Sequence, residues 1–109
     1  MDEIKLPVYE NDMKTIRAEH TAQMIAISFG TIRRLMRLFD IENEADTANI
    51  IKIISSAWSG VIGILGNVFP DMTEDEWDFV DTKDIVRVIY AILQNALAEM
   101  SKIPRDPKN

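Results

Sequence analysis

The chain contains no cysteine, which excludes disulfide bonds and thiolate metal sites. It has a single histidine, His20, so a transition-metal site is disfavoured, and no nucleophile motif accompanies that histidine. The segment 29–31 holds only one glycine and cannot form a glycine-rich phosphate loop. Basic residues number 12 against 18 acidic ones, and the net charge of −6 disfavours non-specific nucleic-acid binding. We therefore predict a protein that is not an enzyme, needs no cofactor and binds no nucleic acid.

Targeting and membrane signals are also lacking. Residues 1–5 show no basic segment followed by a long apolar run, so no signal peptide is predicted. The uncharged stretch 53–70 approaches the length of a membrane-spanning helix. It contains several serines and glycines and is followed at once by acidic residues, which favours a buried central helix and no membrane. The length of 109 residues predicts one domain over 1–109.

The N-terminal segment has the period of a strand. Apolar and polar residues alternate over 4–9, which is typical of a half-buried strand. Pro7 cannot donate to a ladder, so this strand should lie at a sheet edge. The cluster 10–12 is turn-forming. We predict a β-hairpin over 3–19, whereas 21–28 fits neither the strand nor the helix period and is not assigned to an element.

The rest of the chain predicts a mainly α fold, with about four helices in a helical body over 31–103 and a mobile tail at 104–109. Apolar residues recur at helical spacing throughout this body. An acidic loop at 42–46 separates the first two helices. The expected helices are 32–40, 47–67, a short helix opened by Thr73, and 83–102. The expected N-caps are Thr31 for the first helix, Asp46 or Thr47 for the second, and Asp81 or Thr82 for the last.

Acidic residues are densest just before the last helix. Thr73 to Glu76 matches a capping box, with a hydroxyl at the cap and a carboxylate three residues later. A calcium or magnesium site is the alternative, because hard cations prefer several oxygen ligands. The glycine-centred spacing of a calcium loop is missing, and helix N-termini favour negative charge. We therefore interpret these residues as caps and predict no metal site.

Small residues form a strip on the predicted helix 47–67. A glycine inside a helix costs about 1 kcal/mol relative to alanine, so a compensating contact is expected. Close approach of another helix backbone, in the same domain or in a second copy of the chain, is the simplest candidate. The strip consists of Ser56, Ser59, Gly60 and Gly63.

Three arginines, Arg33, Arg34 and Arg37, lie opposite the apolar face of the predicted helix 32–40. They could contact RNA or an acidic partner. A solvated face is the preferred interpretation, because the chain as a whole is negatively charged.

Three short segments carry a resemblance to a known family. They are Lys5-Leu6-Pro7-Val8-Tyr9, Phe29-Gly30-Thr31 and Phe69-Pro70-Asp71-Met72-Thr73-Glu74-Asp75-Glu76, with Lys108-Asn109 at the end. In this layout the chain resembles tail assembly chaperones of long-tailed, siphovirus-type phages of Gram-positive bacteria. The resemblance implies a helical, non-enzymatic, cofactor-free protein of the host cytoplasm. The implied role is to keep the tape measure protein soluble while tail tube subunits polymerise around it, which makes these two proteins the expected partners.

The resemblance directs attention to apolar residues without an obvious place in a four-helix core. Aromatic residues and methionine are enriched at protein contacts, and methionine adapts to irregular partners. The alternative is that these side chains complete the core. The candidate partner-binding residues are Met24, Ile25, Ile27, Phe29, Trp77 and Phe79.

Two other functions remain open. A small phage or bacterial regulator could use the arginine-bearing helix to contact nucleic acid, which salt-dependent duplex binding would reveal. A structural tail-completion protein should form a ring of defined size.

Overall fold

The computed structural model describes residues 3–39 and 47–101. Over these residues the chain forms an N-terminal antiparallel hairpin followed by five α-helices, which confirms the predicted mainly helical fold. The predicted acidic loop at 42–46, with its candidate cap Asp46, and the predicted mobile tail at 104–109 lie outside the described residues. The elements are β1 (Glu3–Tyr9), β2 (Ile16–Gln23), a 3-10 turn (Met24–Ala26), α1 (Phe29–Phe39), α2 (Thr47–Ser56), α3 (Trp58–Val68), α4 (Glu74–Trp77) and α5 (Thr82–Ser101).

The hairpin is longer than the predicted range 3–19. Strand β2 continues to Gln23, which pairs with Glu3 at the start of β1. The tight turn is held by Asp12, whose carboxylate accepts the backbone N–H groups of Lys14 at 2.8 Å and Thr15 at 2.9 Å. The hydrogen bonds from Thr15 and then Lys14 lower the pKa of this carboxyl group. Because β2 continues to Gln23, the first part of the unassigned segment 21–28 belongs to a strand.

The outer edge of β1 is satisfied from the C-terminal half of the chain. The N–H of Tyr9 donates to the carbonyl of Phe79 at 2.9 Å. The guanidinium of Arg87 donates to the carbonyl of Lys5 at 2.8 Å. Pro7 lies between Lys5 and Tyr9. No further strand of the described residues pairs with the outer edge of β1, so the missing N–H of Pro7 breaks no ladder hydrogen bond there.

Helix α1 begins earlier than predicted. Ser28, and not Thr31, acts as its N-cap, because the Ser28 hydroxyl accepts the N–H of Thr31 at 3.1 Å. Thr31 is buried inside the first turn, and its hydroxyl accepts a hydrogen bond from Ser28 at 3.0 Å. Because of this shift, Phe29 is the first residue of α1.

The predicted single helix over 47–67 is wrong. The chain bends by 106° between α2 and α3, at Ala57, whose backbone leaves the helical region. The hydroxyls of Ser55 and Ser56 each donate to the carbonyl four residues earlier, at 3.1 Å, a contact that bends helices. The bend allows α2 to pack against α5 while α3 packs against α1. The apolar residues keep helical spacing through both α2 and α3, so the sequence pattern did not indicate the bend.

The predicted helix starts at the C-terminal half are confirmed. Thr73 and Glu76 form a capping box at α4, with the Thr73 N–H donating to the Glu76 carboxylate at 2.9 Å. Asp81 caps α5 by accepting the N–H of Lys83 at 2.9 Å. Two of the acidic residues of this segment are thus occupied in helix capping.

Helix α5 is the centre of the core. It packs against β1, α1 and α2, so its buried stripe contacts three neighbours. Burial of such aliphatic side chains is the main stabilising contribution, at about 1.5–3 kcal/mol each. Its fully buried side chains are Ile85, Val88, Ile89, Ile92 and Leu93, which meet Leu6, Leu35, Phe39, Ile50, Val61 and Leu65 in one cluster.

Candidate partner-binding surface

Two large apolar side chains protrude where the hairpin meets α1. Ile25 is 92% exposed and Phe29 is 74% exposed. Their neighbours Met24 and Ile27 are partly buried against the core. The six predicted partner-binding residues therefore include two that face outward here and two that help to close the domain.

The local backbone explains this division. The 3-10 turn is closed by the N–H of Ile27, which donates to the carbonyl of Met24 at 3.2 Å. This places both side chains on the core side and leaves Ile25, between them, on the outside. Phe29 lies in the first turn of α1, away from the stripe that carries buried Leu35. Single exposed apolar side chains are ordinary on a protein surface, so the segment is a candidate contact site because two large ones are mostly exposed within four residues of each other.

Trp77 and Phe79 do not join this surface. Trp77 packs against the core, and the carbonyl of Phe79 is bonded to Tyr9 at the turn end of the hairpin. Ile25 follows the opposite end of β2, about 20 Å away at the usual rise per residue of a strand. The guanidinium of Arg17 lies 5.4 Å from the centre of the Phe79 ring, which occupies that ring within the chain.

The earlier start of α1 creates a mixed apolar and basic face. Phe29, Arg33 and Arg37 follow each other at four-residue steps, so they lie along one side of the helix. Arg34 points about 100° away from Arg33 around the helix axis. The three arginine side chains are exposed, and none forms an ion pair with another residue in 3–39 or 47–101. We call Phe29, Arg33 and Arg37, together with Ile25, the α1 face.

The strip of small residues is split by the bend. Ser56 ends α2, whereas Ser59, Gly60 and Gly63 lie on α3, and all four are exposed. A Cβ atom at Gly60 would lie 3.9 Å from the Leu38 side chain, and one at Gly63 would meet nothing within 4 Å. The expected close approach of a helix therefore does not occur within the described part of the chain. A contact from another chain stays a prediction.

The buried polar groups are engaged in structural contacts. Asp84, 8% exposed, accepts the Tyr9 hydroxyl at 3.2 Å and the Arg87 guanidinium at 3.3 Å. Partial burial, and then the Asp84 carboxylate, raise the pKa of Tyr9. This arrangement connects β1 to the first turn of α5.

His20 contacts the capping box. Its Nε2 lies 3.2 Å from both carboxylate oxygens of Glu76. The N–H of Thr73 is the largest cause that lowers the pKa of Glu76, and His20 acts in the same direction. The contact joins β2 to α4, so the one histidine has a structural position.

Residues 3–39 and 47–101 contain no group of three or more histidine, cysteine, aspartate or glutamate side chains that could hold a metal ion. No single helix there is long and apolar enough to cross a membrane, and only the bent α2–α3 pair passes by length and composition. Comparison of the chain with protein-family models, curated proteins and solved structures finds no match.

Proposed function

We propose that this protein is a non-enzymatic binding protein that covers an apolar helical segment of a larger partner. The observation that carries the proposal is the exposure of two large apolar side chains that are four residues apart, Ile25 at 92% and Phe29 at 74%. The core of the domain is closed without these two side chains. Their exposure to water has a cost that a partner with a complementary apolar surface would remove.

The specific partner we propose is the tape measure protein of a long-tailed phage, with the tail tube protein as a further partner. The resemblance of the chain to tail assembly chaperones supports this choice. A small helical domain with exposed apolar side chains is also compatible with covering apolar helices of a partner. In this role the chain acts in the cytoplasm of the bacterial host and keeps the tape measure protein soluble until the tail tube encloses it.

The experiment is co-expression with the tape measure protein encoded in the same genome. The proposal predicts that the larger protein becomes soluble and co-purifies with this chain. The double variant I25S/F29S should lose this effect, because it removes both protruding apolar side chains. These side chains are exposed, so the variant should keep the wild-type melting temperature.

The matched control is Ile51→Ser. Ile51 is 48% exposed on α2, so its substitution removes an exposed apolar side chain that lies outside the hairpin–α1 junction. I51S should solubilise the tape measure protein as the wild type does. A tape measure protein that stays insoluble with the wild-type chain in excess, including any C-terminally extended form, would contradict the proposed function.

A nucleic-acid-binding regulator is the second candidate. It is favoured by the three exposed arginines of α1, which form no ion pair with residues 3–39 or 47–101, and disfavoured by the net charge of −6. Binding of the chain to a DNA or RNA duplex, with affinity that falls steeply as salt rises, would favour this function over the first.

A further inference from the structure

Helix α1 is the most positively charged of the helices in the described part of the chain. Its eleven residues include three arginines and no acidic residue. The chain as a whole carries a net charge of −6, so this positive face is opposite in sign to the protein. Like charges spaced four residues apart on a helix disfavour each other. Arg33 and Arg37 keep this arrangement without an acidic partner in residues 3–39 or 47–101.

The apolar side chains adjoin these charges. Phe29 lies one turn before Arg33 on the same side of the helix. Ile25 precedes Phe29 by four residues. Phenylalanine and arginine are both enriched in the central parts of protein interfaces. An apolar end that is followed by positive charge along one side of a helix is complementary to a partner helix whose apolar stripe is bordered by carboxylates.

We propose that the α1 face, formed by Ile25, Phe29, Arg33 and Arg37, is a docking site for an acidic amphipathic helix of another protein. The inference rests on the proposed function and adds the chemistry of the segment that is recognised. Apolar residues of the partner pack against Ile25 and Phe29. Glutamate or aspartate side chains on the flank of its stripe pair with Arg33 and Arg37.

A pair of synthetic peptides tests this chemistry. Both are 18-residue helices with the same leucine stripe, and they differ only in flanking residues, glutamate in one and lysine in the other. Fluorescence anisotropy with the full chain should show at least tenfold tighter binding of the glutamate peptide, and this preference should weaken as salt rises. Equal binding of the two peptides, tighter binding of the lysine peptide or no binding of either would overturn the inference.

Charge-reversal variants locate the site. R33E/R37E should reverse the preference towards the lysine peptide, and Phe29→Ser should weaken both peptides. The control R34E reverses a positive charge on the same helix about 140° around the axis from Phe29, so it should keep the glutamate preference. Loss of the preference in R34E to the same extent as in R33E/R37E would show that net charge, and not the α1 face, selects the peptide.

The remaining occupants of this face give distinct results. Tight duplex binding abolished by R33E/R37E would assign the face to nucleic acid. Sedimentation of the wild-type chain alone as an oligomer that R33E/R37E dissociates would assign it to a second copy. If the wild type solubilises the tape measure protein and R33E/R37E does so equally well, the inference fails while the proposed function stands. If the glutamate peptide binds at the α1 face and the tape measure protein stays insoluble, the proposed function fails alone.

Discussion

Gly63 provides a direct test of whether the exposed side of α3 is free in the isolated chain. A Cβ atom built at this position meets nothing within 4 Å, and none of the described glycines has a positive φ. Alanine can therefore adopt the same backbone without a clash. Glycine within a helix costs about 1 kcal/mol relative to alanine, through the entropy that it loses on folding. We expect Gly63→Ala to stabilise the isolated chain by about this amount.

The expected stabilisation corresponds to an increase of about 4 °C in the melting temperature for a domain of this size. Thermal and urea unfolding followed by circular dichroism would measure it. Leucine has nearly the helix propensity of alanine, so Gly63→Leu should also be tolerated in the isolated chain. Gly60→Ala is the matched comparison, because its Cβ atom would enter ordinary contact with Leu38 at 3.9 Å.

A result of the opposite sign would refute the argument. If Gly63→Ala destabilises the chain, an atom that lies outside the described residues or belongs to another copy must be in contact with this glycine. A Gly63→Leu variant that is stable but no longer solubilises the tape measure protein would instead assign the small-residue strip to a partner. Sedimentation velocity of the same variants separates loss of self-association from loss of partner binding.

Three further predictions concern the contacts that hold the fold. Thr73→Ala removes the capping-box hydroxyl and should lower the free energy of unfolding by about 1 kcal/mol. The control Thr82→Ala should change this free energy by less than about 0.5 kcal/mol. Urea titration measures both variants. Because the pKa of Glu76 is lowered in the folded state from its ordinary value of 4.5, its contribution is present above about pH 4.5 and is lost as the pH falls through the lower folded value. The stability difference between wild type and Glu76→Gln should therefore be larger at pH 7 than at pH 3, and equal differences would contradict this. Asp84→Asn should lower the pKa of Tyr9 towards 10.0, measured by the ultraviolet absorbance of tyrosinate in a Tyr90→Phe background.

The C-terminal half of the fold could be predicted because its signals are local. The hydroxyl of Thr73 and the carboxylate of Glu76 define a helix start by their spacing alone. The hairpin turn is similar, since Asp12 bonds to the two residues that follow it closely. Periodicity of apolar residues then identified the buried stripe of α5.

The bend at Ala57 could not be predicted, because it is determined by tertiary packing. The apolar spacing of α2 and α3 is compatible with one continuous helix, and only the serine pair before the bend gave a weak local signal. The partner-binding set was divided for a similar reason. The exposure of Ile25 and the partial burial of Trp77 depend on which elements pack beside these residues. The residues next to them in the sequence do not encode that packing.

The hydrogen bonds along the outer edge of β1 have a consequence for the order of folding. Tyr9 and Asp84 are separated by 75 residues, and Lys5 and Arg87 by 82. A two-stranded hairpin is marginal alone in water, so it depends on contacts that form only after α5 has been synthesised. During translation β1 therefore emerges well before α5, and the helices between them must bring these two elements together. The apolar side chains of β1 are thus exposed in the nascent chain until α5 has left the ribosome.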